Sequence, residues 1–255
     1  MWSFVQKYII GGNHLMENKK LLNSLRGKVI VSCQANEAHN PFNDPQEMVR
    51  MAKAGAIGGA AGFRANMPEN VKAIKEALPE YPMFGIWKVV TEGCDVYITP
   101  TMKEVDVLVE IGSEIIAVDA TDRYNCEGKK AYELIRDIKK KYPNQLVMAD
   151  IATLKEAHLS YEAGADIIST TLSGYTEESK EKYGPFCDFE LIEQIRKEIP
   201  DAYINAEGRI WTREDAVKAF ECGADIVVIG TAITSPMKIT ERFVKYVNEK
   251  VGNKK

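Results

Sequence analysis

From residue 28 onward, short apolar runs rich in β-forming residues alternate with segments whose apolar positions recur every three to four residues. The runs are Lys28–Cys33, Ala56–Ala61, Met83–Val89, Glu114–Asp119, Leu146–Asp150, Asp166–Thr170, Ala202–Ala206 and Asp225–Ile229. They are continuous rather than alternating, which is the mark of parallel strands covered on both faces. The helical spacing predicts helices over Asp44–Ala54, Pro68–Leu78, Met102–Ile111, Lys129–Lys141, Thr153–Ala163, Asp188–Glu198, Thr212–Cys222 and Lys238–Lys250. A glycine recurs where a helix gives way to a strand: Gly55, Gly112, Gly164 and Gly223 each sit in an X-Gly-Ala or X-Gly-Ser step. Glycine suits the left-handed residue that closes a helix. Eight uninterrupted strand–helix units predict an α/β fold, a single closed (β/α)8 barrel of parallel strands rather than an open sheet.

The barrel domain is expected over residues 22–255, since no linker, charge block or low-complexity run divides it. Residues 1–21 read as a short N-terminal extension without ordered structure. Their apolar patch, Tyr8-Ile9-Ile10, is far too short to span a membrane, and no secretory cleavage signal follows it. Met16 stands as an alternative start, and a short helix is expected from there through Leu25.

A length of 255 residues suits one such barrel. A formal net charge of -4 argues against a nucleic-acid partner, which would call for a basic surface. The five cysteines (Cys33, Cys94, Cys126, Cys187 and Cys222) form no CxxC pair, so neither a disulfide framework nor a zinc site is expected. A reduced, cytoplasmic setting follows. The three histidines, His14, His39 and His158, are scattered, so no metal centre and no cofactor are expected.

In a barrel the loops that follow the strands form the active face. The predicted strands lead into Gln34 and then Asn36-Glu37, Gly62-Phe63-Arg64, Lys88, Asp119-Ala120-Thr121, Asp150, the run from Thr170 to Thr176, Glu207-Gly208-Arg209 and Gly230-Thr231-Ala232. A lysine, carboxylates, arginines, an amide and many hydroxyls thus gather at one edge, a set suited to a polyhydroxylated ligand. Gly208, Gly230 and Thr231 suit a phosphate held by backbone N–H groups. Asp119 and Asp150 either orient Lys88 or cap the helices that follow, and Thr170 is expected in a supporting place. His39 reads as a loop residue, and Trp87 and Trp211 as packing residues.

These stretches are VSCQA (31–35), GFRAN (62–66), GIWKV (85–89), YITPT (97–101), VDATDR (118–123), ADIAT (149–153), STTLSGYT (169–176), AEGRIWT (206–212) and GTAIT (230–234). Nine in order, at fitting strand ends, resemble the N-acetylmannosamine-6-phosphate 2-epimerase family of bacterial sialic-acid breakdown, over about residues 22–248. The resemblance implies a metal-free, phosphate-binding barrel that interconverts N-acetylmannosamine 6-phosphate and N-acetylglucosamine 6-phosphate. It places Lys88 and Glu207 at the family's catalytic positions and Gln34, Arg64 and Asp150 at substrate-binding ones; Arg209, next to Gly208, is expected to bind substrate as well. One position departs: where the family pattern after the eighth strand reads Thr-Arg-Pro, this chain has Thr234-Ser235-Pro236.

Inverting C2 of an amino sugar requires removing a proton alpha to the C1 aldehyde and returning one to the other face. Strands three and seven stand four apart in a ring of eight, so Lys88 and Glu207 approach from opposite walls, as a two-base scheme wants. A lysine serves as a base only if its pKa is lowered toward neutrality. Three alternatives stay open at this point: a one-base scheme, a barrel enzyme in which Lys88 forms a Schiff base, and a sugar-phosphate sensor without turnover. The expected partner is the hexosamine phosphate alone, with homo-oligomerisation left open.

Overall fold

A computed structural model describes residues 16–34, 41–42, 44–182 and 184–252. Eight parallel strands close into a barrel in sequence order: β1 (Lys28–Cys33), β2 (Phe63–Asn66), β3 (Met83–Ile86), β4 (Ile115–Asp119), β5 (Leu146–Asp150), β6 (Ile167–Ser169), β7 (Ile204–Glu207) and β8 (Ile226–Ile229). The ring is shut by β8 pairing with β1, Val31 opposite Ile229. The helices after successive strands are α1 (Pro45–Ile57), α2 (Pro68–Ala77), α3 (Met102–Ile111), α4 (Ala131–Lys141), α5 (Leu154–Glu162), α6 (Phe189–Glu198) and α7 (Arg213–Glu221). After β8 come a four-residue helical turn, Thr231–Thr234, and then α8 (Pro236–Val251).

The second strand is a correction. Ala56 and Ile57 finish α1, and Gly58 and Gly59 terminate it, Gly59 at φ +92°. The strand lies seven residues later, at Phe63–Asn66. The glycine rhythm is corrected with it, since Gly55 lies inside α1, whereas Gly112, Gly164 and Gly223 do take the left-handed backbone expected of them.

Strand side chains alternate between the two faces of a sheet, so every second residue of each strand points into the barrel. Ile30, Phe84, Ile86, Ile115, Ala117, Leu146, Met148, Ile167, Tyr203, Ile226 and Val228 fill that interior. The intervening residues, such as Val31, Phe63, Ala65, Ile116, Val118, Val147, Ala149, Ile168, Ile204 and Val227, form the larger core under the helices. Helix starts follow the same economy of local signals. Asp44 accepts from the backbone N–H of Gln46 and Glu47, and the pairs Thr101/Glu104, Thr153/Glu156 and Thr212/Asp215 form reciprocal caps.

The bottom of the barrel is covered by a helix over residues 16–25, running across the boundary at residue 21. Leu25 is buried there, Leu21 and Leu22 pack on the interior cluster, and the Tyr203 hydroxyl donates to the Leu22 carbonyl at 2.7 Å. α8 behaves differently from its seven counterparts: none of its sixteen residues is buried. Phe243 is 71% exposed and Tyr246 61%, with Val244, Val247 and Val251 beside them. Between α1 and α7, where an eighth helix would close the outer ring, lies an open groove of about 800 Å³ lined by Met51, Ala54, Ala216, Ile229 and Ile233 among others.

Candidate active site

The inward row of each strand turns polar toward its C-terminal end. Ile30 is followed two residues on by Ser32 and then Gln34, Met148 by Asp150, Ile167 by Ser169 and Thr171, Tyr203 by Asn205 and Glu207, and Phe84 and Ile86 by Lys88. Arg64 and Asn66 are the inward residues of β2, Arg64 opposite Ser32 in the register. The polar tier therefore sits on an apolar floor, which fixes its members while excluding water from below.

At its centre Arg64 is buried, 1% exposed, and pairs with two carboxylates. Its Nη2 donates to Asp150 Oδ2 and its Nη1 to Glu207 Oε2. Its Nη1 also lies 3.3 Å from Asp150 Oδ1. Thr171 Oγ1 donates to Asp150 Oδ1 at 2.7 Å and shares a hydrogen bond with Ser169 Oγ at 2.7 Å. Asn205 Nδ2 donates to Ser169 Oγ at 2.7 Å and reaches Glu207 Oε2 at 3.3 Å. Arg64 Nε and Asn205 Oδ1 are buried with no hydrogen-bond partner among the described residues.

Above this cluster opens a cavity of about 360 Å³, lined by Lys88, which follows β3, and Glu207, which ends β7 four strands round the ring, together with Gln34, Arg64, Gly208, Arg209, Gly230 and Thr231. Lys88 Nζ donates to Gln34 Oε1 at 2.8 Å, and Gln34 Nε2 to Ser32 Oγ at 2.8 Å. Burial, reinforced by the Arg64 guanidinium, lowers the Lys88 pKa to about 8. The ammonium is then easily given up near neutral pH. Burial also raises the pKa of Glu207, against the pull of Arg64. One carboxyl and one amine are thus moved toward each other's range, the condition under which both can exchange protons.

The remaining expected residues fall as follows. Asp150 is buried beneath Arg64 rather than at the cavity wall, and Asp119 accepts from Thr121 Oγ1 at 2.6 Å and Arg123 Nη2 at 3.0 Å. Thr170 shares its hydroxyl with the Glu207 backbone, accepting from its N–H at 3.2 Å and donating to its carbonyl at 3.1 Å. Gly208 sits at φ +102° and Arg209 at φ +56°. The Arg209 guanidinium donates to the carbonyls of Ser173 at 2.7 Å and Phe186 at 2.8 Å, strapping the long loop after β6. A Cβ at Gly230 would lie 3.3 Å from Ser32 Cβ, so a side chain there would press on β1. Asn36, Glu37 and His39 lie outside the described residues.

Reading strand ends missed Ser32, Asn66, Tyr97, Thr99 and Asn205. Two-residue parity would have found Ser32, Asn66 and Asn205 once β2 was placed. Asn66 Oδ1 accepts the backbone N–H of Lys88 at 2.8 Å. Thr99 is buried at φ +46°, a conformation that costs a β-branched residue about 1–3 kcal/mol. Among the described residues, no group of three or more His, Cys, Asp or Glu side chains is placed to hold a metal ion.

Residues 48–249 match the profile of the family described as "Putative N-acetylmannosamine-6-phosphate epimerase". The chain belongs to the N-acetylmannosamine-6-phosphate epimerase family. Its relatives include a protein of Caldanaerobacter subterraneus subsp. tengcongensis, 50% identical over 90% of this chain and 95% of its own length. A Clostridioides difficile protein is 46% identical over 89% of this chain and 99% of its own. Both are named "Putative N-acetylmannosamine-6-phosphate 2-epimerase". The solved N-acetylmannosamine-6-phosphate 2-epimerase of Clostridium perfringens superposes with a TM-score of 0.83 at 42% identity, covering 89% of this chain and 96% of that one. A thiamine phosphate pyrophosphorylase of Pyrococcus furiosus, at 18% identity and a TM-score of 0.59, shares the fold alone. Every strand-end stretch from GFRAN onward falls inside the span that matches the epimerase family.

Proposed function

We propose that this chain is an isomerase that interconverts N-acetylmannosamine 6-phosphate and N-acetylglucosamine 6-phosphate by removing and returning the C2 proton. The observation that supports the reading is that Lys88 and Glu207 line one cavity from strands four apart in the ring, with the Lys88 pKa lowered to about 8. In the open-chain sugar, C2 stands next to the C1 aldehyde. One of the pair takes the C2 proton, and the C–H electrons move into an enolate. The other group then protonates C2 from the opposite face, and the carbonyl reforms. The backbone amides around Gly208, Gly230 and Thr231 receive the phosphate, and Gln34 and Arg64 fix the sugar. The reaction asks for no metal or nucleotide and fits a cytoplasmic setting. Among the described residues, no helix is long and apolar enough to cross a membrane.

The test is proton NMR of the purified protein with N-acetylmannosamine 6-phosphate in D2O and a chelator. Appearance of the second epimer with deuterium at C2 is expected. Recovery of activity only on adding a divalent ion would refute the metal-free scheme. Lys88→Ala and Glu207→Ala should each slow epimerisation by about 10²–10⁴-fold, and each should still exchange the C2 proton of a different epimer. Exchange of the same epimer by both variants would replace the opposed pair with a single base. Covalent trapping of substrate on Lys88 by borohydride would replace it with a Schiff base.

The same reading extends to assembly as a homo-oligomer. The apolar stripe of α8 and the open groove between α1 and α7 are complementary in character. α8 follows the short turn with only Ser235 between them, and that turn is pinned to β1 by Thr234 Oγ1 donating to the Ser32 carbonyl at 2.7 Å. Burying two aromatics and three valines from each of two copies, with the matching groove walls, removes on the order of 2,000 Å² from water, within the range of stable interfaces.

A further inference from the structure

We infer that Thr99 is a positioning residue for Lys88, held in an unfavourable backbone conformation so that its hydroxyl clamps the peptide leading into the lysine. The inference rests on the reading of Lys88 as a proton-transfer group.

β3 ends at Ile86, so Lys88 stands beyond the sheet, where neighbouring strands no longer hold it. The chain compensates by doubling back on itself. Lys88 and Ile98 form an antiparallel bridge, and the Val89 N–H donates to the Tyr97 carbonyl at 2.9 Å. At the base of this hairpin, Trp87 and Thr99 exchange two hydrogen bonds. The Thr99 N–H donates to the Trp87 carbonyl at 2.9 Å, and the Trp87 N–H donates to Thr99 Oγ1 at 3.1 Å. On the other side, Asn66 accepts from Lys88 N–H at 2.8 Å. The lysine backbone is therefore gripped from both flanks before its side chain crosses to Gln34.

The identity of residue 99 is the unusual part. Its φ of +46° belongs to the left-handed region. Threonine is poorly suited to that region because it is β-branched, and the residue before a proline, here Pro100, is further biased toward extended backbone. Glycine would adopt the turn without strain. Glycine, however, brings no hydroxyl, and the Trp87 N–H would lose the side-chain acceptor it has now. The hydroxyl is what threonine adds at this position, and the group it fixes is adjacent to Lys88. A displacement of about 1 Å at a reacting group costs up to about 100-fold in rate, so a rigid anchor here has a direct kinetic effect.

A purely structural hydroxyl and a positioning one predict different outcomes. Thr99→Gly relieves the left-handed backbone and removes the clamp. Thr99→Ser keeps the clamp. Thr99→Gly is expected to stay folded, with kcat for epimerisation lowered about 10–100-fold and KM changed little, while Thr99→Ser stays within about threefold of the parent. A second readout is independent of turnover: NMR titration of Lys88 in 13C-lysine-labelled protein without substrate. Its midpoint should move upward in Thr99→Gly, toward the ordinary lysine value, and return in Thr99→Ser. If the parent shows no epimerase activity, the function proposed above fails, and the titration still decides the clamp. Parental kcat and an unmoved Lys88 titration in Thr99→Gly would overturn the inference, as would a Thr99→Ser variant no better than Thr99→Gly.

Discussion

Lys88→Met should make the protein inactive and more stable at the same time. A lysine that ionises near 8 in the fold and near 10.5 in the open chain burdens the fold at neutral pH. Each tenfold in that ratio is worth about 1.4 kcal/mol, so the burden at pH 7 is about 3 kcal/mol. Methionine matches the length of the side chain and carries no charge, but it forfeits the hydrogen bond to Gln34, worth about 1 kcal/mol. The net gain is about 2 kcal/mol, or roughly 5 °C in Tm for a chain of this size. The sign of the pH dependence follows from the lowered value. Below pH 8 both states hold the proton, and the full burden is present. Between about 8 and 10.5 the fold has released a proton that the open chain keeps, so the parent gains stability as pH rises. Above that window the burden is gone. Thermal unfolding of parent and variant at pH 7 and at pH 10.5 therefore tests it: a clear advantage for Lys88→Met at pH 7 should shrink at the higher pH. A variant less stable than the parent at pH 7, or a difference that does not change with pH, would refute the claim that burial keeps this ammonium at a cost.

Three other outcomes are expected. Asp150→Asn leaves the buried Arg64 with Glu207 as its remaining carboxylate, so urea unfolding should show a loss of roughly 3 kcal/mol together with reduced turnover, and unchanged stability would contradict the described cluster. Ser235→Arg, which restores the family pattern at the cavity edge, should lower KM for the phosphorylated sugar; an unchanged or raised KM means other groups already hold the phosphate. Paired Phe243→Asp and Val247→Asp substitutions should dissociate the homo-oligomer in light scattering, and a parent that runs as a single 28.5 kDa chain would remove the assembly reading.

Much of this architecture is legible in the chain because parallel barrel strands announce themselves as apolar runs. β2 is the instructive exception. Its inward residues, Arg64 and Asn66, are the polar ones the site requires, so the strand does not look like a strand, whereas the helix end Ala56-Ile57-Gly58-Gly59-Ala60-Ala61 does. The functional demand disguised the structural element. Lys88 and Glu207 were legible for the opposite reason: each follows a run that is apolar enough to recognise. Thr99 was not legible, because the Thr-Pro step argues for extended backbone whereas the folded chain holds it left-handed. The amphipathic pattern of α8 was equally clear, yet a sequence carries no sign of which surface an apolar stripe will meet.

Four charged groups at and beneath the cavity floor balance one another, while Arg209 at the rim is turned to the carbonyls of the loop after β6. Lys88 and Arg64 carry two positive charges, Asp150 and Glu207 two negative ones, and the apolar floor beneath leaves little water to screen them. A reaction that borrows a proton from carbon and hands one back never alters that total. It only moves charge between groups a few ångströms apart. In such a setting the medium need not reorganise around a newly created ion, so the barrier is set by distance and alignment rather than by solvation. Replacing Arg64 or Asp150 by a neutral residue leaves an odd charge behind, and its effect should therefore spread to the ionisation of Lys88 and Glu207.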